Sequence, residues 1–188
     1  MIGDVVTGLV PCSDDVLGVL CDHTIWKITG DPMSNGVVDN VSTDIGAAWG
    51  QAWCKGPDGT VYFFSNVPGV YAIAPGFSGA PVRISHAIDP LLDSVDTGAS
   101  TISMVWDDRF GGFHVFVTNS TGADNAADGA VHYFYEAPRP DGSGNAWWKD
   151  TYVDSDHNPL CCCVVDGNQA DDRSVIMIFN LGGPSQMD

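Results

Sequence analysis

The sequence predicts an all-β protein, built as a β-propeller of four-stranded antiparallel blades, and three observations carry that expectation. Twenty-two glycines and eleven prolines interrupt the 188-residue chain, and no window sustains the i, i+3, i+4, i+7 apolar spacing of a helix. Short runs of Val, Ile, Tyr, Phe and Trp recur instead between Gly-, Asp- and Asn-rich turns: VLGVLC, TIWKIT, TVYFFS, GVYAIA, FHVFVT, VHYFYE and SVIMIF. The runs follow a repeating order, with second strands starting near Val16, Val61, Phe113 and Val175, at spacings of 45, 52 and 62 residues. Four-stranded units of about 40–50 residues are the period of propeller blades. A β-sandwich also spaces its strands every 8–12 residues or so and is the alternative architecture.

Taken in order, the first unit covers about residues 1–45 and reads DVVTGLVPCSDD, VLGVLCDH, TIWKITGDPMSN, GVVDNVS. The second, 46–98, reads GAAWGQAWCKGPDG, TVYFFSNVPG, VYAIAPGFSGA, PVRISHA, and the segment Ala87–Val95 after it suits a helical turn or two. The third, 99–156, reads STISMVWDDRFG, GFHVFVTNS, AVHYFYEAPRPDGSGN, AWWKDTYVD, with the polar insert STGADNAADG inside it. The fourth, 157–188, supplies PLCCCVVDGNQADDR and SVIMIFNLGG and is incomplete. First strands lie crowded near a propeller axis, which suits Gly, Ala, Ser and Cys. Second and third strands are sandwiched between blades and should be apolar on both faces. Asp58-Gly59 and the loop from Asp107 and Asp108 to Gly111 and Gly112 are hairpin turns, where Asp bonds nearby backbone and Gly supplies positive φ. About three and a half blades do not close a ring. The expectation is therefore a segment of a longer protein, or one completed by another chain.

Charge and cysteine content exclude several functions. Seven Lys and Arg against 24 Asp and Glu give a net charge of −17, which repels phosphate and makes attractive nucleic-acid binding an unsuitable role. No segment approaches the roughly 20 apolar residues that cross a bilayer, so no membrane insertion is expected, and the first residues lack a signal-peptide pattern. In the reducing environment this implies, the six cysteines are expected as free thiols. Cys161, Cys162 and Cys163 alternate across a strand and cannot readily pair with one another. Like Cys12, Cys54 and Met104, they stand near the end of a first strand, which points to packing rather than to a redox or metal site.

Catalytic chemistry has little to build on. Glu136 is the one glutamate, and nearly every aspartate sits at a turn, so the two carboxylates of a glycoside hydrolase have no clear candidates. No serine occupies a Gly-x-Ser-x-Gly elbow. His23, His86, His114, His132 and His157 are scattered, and the two within apolar strands, His114 and His132, suit hydrogen-bonded interior positions. Cys21-Asp22-His23 and His157 with the cysteine triplet hold metal-ligand types but lack C-x2-C spacing. Asp124–Asp128 matches no calcium-loop pattern. No catalytic residue, metal or cofactor is expected. Trp49, Trp53 and Trp106 suit packing between blades. In the tandem Trp147-Trp148, alternation turns one ring outward, which makes these two residues the candidate partner contact.

The segments DDVLGVLCDHTIWKITGDP, GVVDNVSTDIGAAWGQAWCKGPDGTVYFFSNVPGVYAIAPG, PVRISHAI, LLDSVDT, VWDDRFGGFHVFVT and AWWKD resemble propeller-type structural proteins of tailed bacteriophages and prophages. The shared order is Ile-Trp before Gly-Asp-Pro, a Gly/Ala/Trp strand, Pro-Asp-Gly before an aromatic strand, then Gly-Val-Tyr, Arg-Ile-Ser and Gly-x-His strands. The resemblance covers essentially the whole chain and rests on turns and strand cores. It implies a non-enzymatic structural component of a virion, of the tail or head–tail connection, assembled in the bacterial host cytoplasm. Its implied partners are other virion proteins, or further copies or segments completing the propeller. A host-surface carbohydrate-binding module of the tail tip is the alternative, with a glycan as partner, and a propeller glycoside hydrolase the second alternative.

Overall fold

The computed structural model describes residues 2–31, 33–119, 130–151, 158–165 and 174–180. His157, Asp124–Asp128 and the STGADNAADG insert lie outside the described residues. The protein is all-β with antiparallel sheets, and it divides into two compact units, residues 1–98 and 99–188.

The first unit holds two four-stranded sheets. One is the meander β1 (Val6–Ser13), β2 (Val16–Cys21), β3 (Ile25–Thr29) and β4 (Val37–Ser42). After the two-residue strand β5 (Gly50–Gln51), the other runs through β6 (Trp53–Lys55), β7 (Val61–Phe64), β8 (Val70–Ile73) and β9 (Val82–Arg83). The central strands are the most apolar because both their faces are covered: all four residues of β7 and the last four of β2 are buried. Val10, Leu20, Ile25, Val61, Phe63 and Ile73 form the shared core, with the rings of Phe63 and Tyr71 stacked at 5.6 Å.

Turn chemistry fixes the register as the sequence suggests. Asp58 accepts hydrogen bonds from Thr60 N at 3.0 Å and Thr60 Oγ1 at 2.7 Å, while Gly59 takes φ +85°. The expected small-residue strand GAAWGQAWC is broken, however. Gly50 adopts φ +91°, and Ala47 N leaves to donate to Cys21 O at 2.8 Å, so only Gly50–Gln51 and Trp53–Lys55 remain strands. The helix α1 is a single turn, Asp89–Leu92, pinned by Arg83, which donates to Asp89 Oδ1 at 3.1 Å and to Pro68 O at 2.8 Å.

The second unit holds the meander β10 (Ser100–Asp107), β11 (Gly112–Asn119), β12 (Ala130–Glu136) and β13 (Ala146–Thr151), and the hairpin β14 (Asn158–Val165) with β15 (Ser174–Asn180). Cys162, Val175 and Met177 of the hairpin pack on Val105 and Phe116. Polar contacts lock this packing: Cys162 N donates to Ser103 Oγ at 3.1 Å, Cys162 Sγ lies 3.0 Å from the same oxygen, and Thr118 Oγ1 donates to Pro159 O at 2.7 Å.

Candidate functional site

Register assigns the meander of the second unit two distinct faces. Directly opposed residues share a face, so Trp106, Phe113, Tyr135 and Trp147 form one aromatic row. Phe113 and Tyr135 are buried, and Trp147 lies with its ring centroid 5.8 Å from that of Phe113 and 4.8 Å from that of Tyr135. The opposite face carries Val105, His114, Phe134 and Trp148 in one row, and Ser103, Phe116, His132 and Asp150 in the next. The hairpin packs against Ser103, Val105 and Phe116. Beyond it, Trp148 is 60% exposed and Phe110 57%, the latter edge-on to the partly buried Phe134 at 6.1 Å.

Of the two tryptophans singled out in the sequence, Trp148 thus faces outward and Trp147 packs. Trp147→Ala is expected to cost about 2 kcal/mol or more through lost ring packing, while Trp148→Ala changes stability by at most about 0.5 kcal/mol. Denaturant midpoints of the two variants separate these outcomes. Among the other tryptophans, Trp53 packs on the first core, whereas Trp49 is 53% exposed.

Beneath the exposed rings runs a chain of polar groups that the sequence did not connect. Asp107, only 3% exposed, accepts from Arg109 N at 2.9 Å, Arg109 Nε at 3.1 Å and a terminal Arg109 nitrogen at 2.8 Å. His114 Nε2 stands 3.5 Å from Asp107 Oδ2, and His114 Nδ1 is 2.7 Å from His132 Nε2. Burial alone would raise the Asp107 carboxyl, but the hydrogen bonds and charge of Arg109 hold it below its ordinary value. Burial lowers His114 more than Asp107 raises it. Burial, aided by His114, lowers His132 to about 4. At neutral pH the carboxylate is therefore charged and both imidazoles are neutral. Asp107 accepts only, which places the His114 proton on Nε2 and leaves Nδ1 to accept from His132.

This order orients the rings; it does not activate a nucleophile. An Asp–His pair works as a base through the ring nitrogen facing away from the carboxylate. Here that nitrogen is held by His132. Asp107, with its lowered pKa, is equally unsuited to the raised-pKa general acid of a glycosidase, and Glu136 is paired to Arg139 at 2.9 Å.

The cysteine triplet divides as strand alternation requires. Cys162 is buried with its thiol pushed up to about 11 by desolvation, which makes it a packing group and not a thiolate nucleophile. Cys161 is partly buried and Cys163 exposed, so the packing expectation describes the central residue best. None of the six cysteines is in a disulfide. Potential metal ligands come together at Asp4, Asp22 and His23 in the first unit. His86 is exposed beside Asp89.

No protein-family model matches the chain, and no curated protein matches it.

Proposed function

We propose that the four-stranded sheets are blades of a β-propeller and that the chain is a non-enzymatic structural component of a phage virion, of the tail or head–tail connection. It acts through protein–protein contacts that continue the ring beyond about three and a half blades. The virion role rests on the resemblance of the strand and turn segments, and one observation supports the protein–protein contacts. The hairpin β14–β15 turns one face onto the meander and leaves the other open, with Val165 43% exposed, Ile176 46% and Ile178 58%. A two-stranded hairpin is marginal by itself, and a contiguous apolar face of this kind marks a surface that is covered in use. A further sheet, from another virion protein, another copy or a longer polypeptide, is the natural cover. The acidic surface, with its net charge of −17, keeps such a component from adhering to DNA.

Light scattering coupled to gel filtration tests this reading. The chain is expected to self-associate or to bind a virion partner, and the double variant Ile176→Asp/Ile178→Asp to lose that association. A compact, monodisperse 20 kDa monomer with no affinity for virion proteins would refute it.

One observation favours a second reading, a carbohydrate-binding module of the tail tip. Trp148 and Phe110 expose flat apolar rings on the same side as Phe134, a surface on which sugar rings stack. Glycan-array binding that disappears in Trp148→Ala would establish that reading.

A further inference from the structure

The turn between β2 and β3 carries Asp22 and His23, and the start of the chain folds against it, with Asp22 N donating to Val5 O at 2.9 Å. This brings Asp4 alongside. His23 Nδ1 lies 3.7 Å from Asp4 Oδ1 and 3.1 Å from Asp22 Oδ2. Each of the three side chains offers one ligand atom, and these atoms lie within 4.8 Å of one another. We propose that Asp4, Asp22 and His23 bind a divalent transition-metal ion of the zinc class, with the remaining coordination positions open to water.

Spacing is the first argument. A tetrahedral ion holding nitrogen and oxygen ligands at about 2.1 Å sets them about 3.4 Å apart, and the two imidazole–carboxylate separations bracket that value. Small rotations of His23, whose side chain is 76% exposed, equalise them.

The second argument is how the carboxylates are held. Asp4 Oδ2 accepts from His23 N at 2.8 Å and Thr24 Oγ1 at 2.9 Å, which fixes the carboxylate and turns Oδ1 toward the imidazole. Oδ1 accepts from Val5 N at 2.8 Å and keeps its second lone pair. Asn66 reaches across from the neighbouring sheet of the same unit. Its amide donates to Asp22 Oδ1 and, at 2.8 Å, to Asp22 O, leaving Oδ2 facing the imidazole. Ligating oxygens braced by hydrogen bonds to their partner atoms are the arrangement that orients ligands in metal sites.

Ligand type is the third argument. An imidazole nitrogen separates this set from a patch of surface acids, and a mixed N/O set suits Zn2+, Co2+ or Ni2+ better than Ca2+ or Mg2+, which take oxygen shells.

Titration calorimetry of the full chain under reducing conditions with ZnCl2, and absorption spectra with CoCl2, test the site. One ion per chain is expected, with a cobalt spectrum free of thiolate charge-transfer bands. His23→Ala, at an exposed position that leaves folding intact, and Asp22→Asn should each weaken binding at least about tenfold. Cys161→Ser/Cys163→Ser should leave the affinity unchanged. Absence of uptake, uptake unaltered in His23→Ala, or uptake lost with the cysteines would each overturn the proposal.

Discussion

Phe77→Ala is expected to destabilise the first unit by about 3–5 kcal/mol, the range for deleting a fully buried aromatic ring. Phe77 is 2% exposed and belongs to the core shared by the two sheets. Its ring stands over Gly18 of β2, where an added Cβ would lie 2.2 Å from the ring carbons. A strand glycine is otherwise a weakness. Here it makes room for the ring, and no side chain on that part of β2 could fill the cavity left by alanine. The loop also adopts an uncommon backbone to insert the ring, with φ +69° at Gly76 and +55° at Phe77. Alanine would keep that strain without the burial that offsets it. The check is a lower denaturant midpoint for the first unit with an unchanged slope. A loss below about 1 kcal/mol would mean that the core closes without the ring. Gly18→Ala should also destabilise, by overpacking against Phe77.

Acid is expected to loosen the second unit well before its carboxylates titrate. His132 is lowered from 6.5 to about 4 in the folded protein, chiefly by burial, so between those values the unfolded chain binds the proton that the folded chain refuses. Stability is therefore full above pH 6.5, declines as pH falls through that window, and loses about 3 kcal/mol from this group by pH 4. His114, also lowered by burial, acts in the same direction. Asp107, held below its ordinary value by Arg109, adds a further loss as pH falls through its own folded value. Asp150 opposes the effect on His132 without cancelling it. Hydrogen exchange of β11 and β12 amides at pH 7.5, 6 and 4.5 measures the decline. In His132→Phe most of the dependence between pH 6.5 and 4.5 should vanish. A variant as acid-sensitive as the original chain would show that another group is responsible.

Both expectations depend on features the sequence conveys unevenly. Its local patterns determined the antiparallel four-stranded units, because strand length, alternation and Asp-Gly turns are written within a few residues of one another. The runs VLGVLC and VYFF became central strands for that reason, and Trp147 and Trp148 took opposite faces because successive strand side chains must. The break inside GAAWGQAWC was not legible. It follows from Gly50 taking positive φ and from Ala47 bonding to a strand 26 residues earlier. Phe77 reads as a loop residue, and only the meeting of two sheets makes it core.

The polar constellations lay further from view. His114 and His132 meet because β11 and β12 pair with Phe116 opposite His132, a register that a one-residue slip would destroy. Asp4, Asp22 and Asn66 are distant in sequence and converge only when the start of the chain and a loop of the second sheet close on the same turn. Local propensity and periodicity thus determined the elements and which way each side chain turns. Tertiary packing alone decided which charges and rings stand together, because long-range register and burial are properties of pairs of segments and leave no mark on either one.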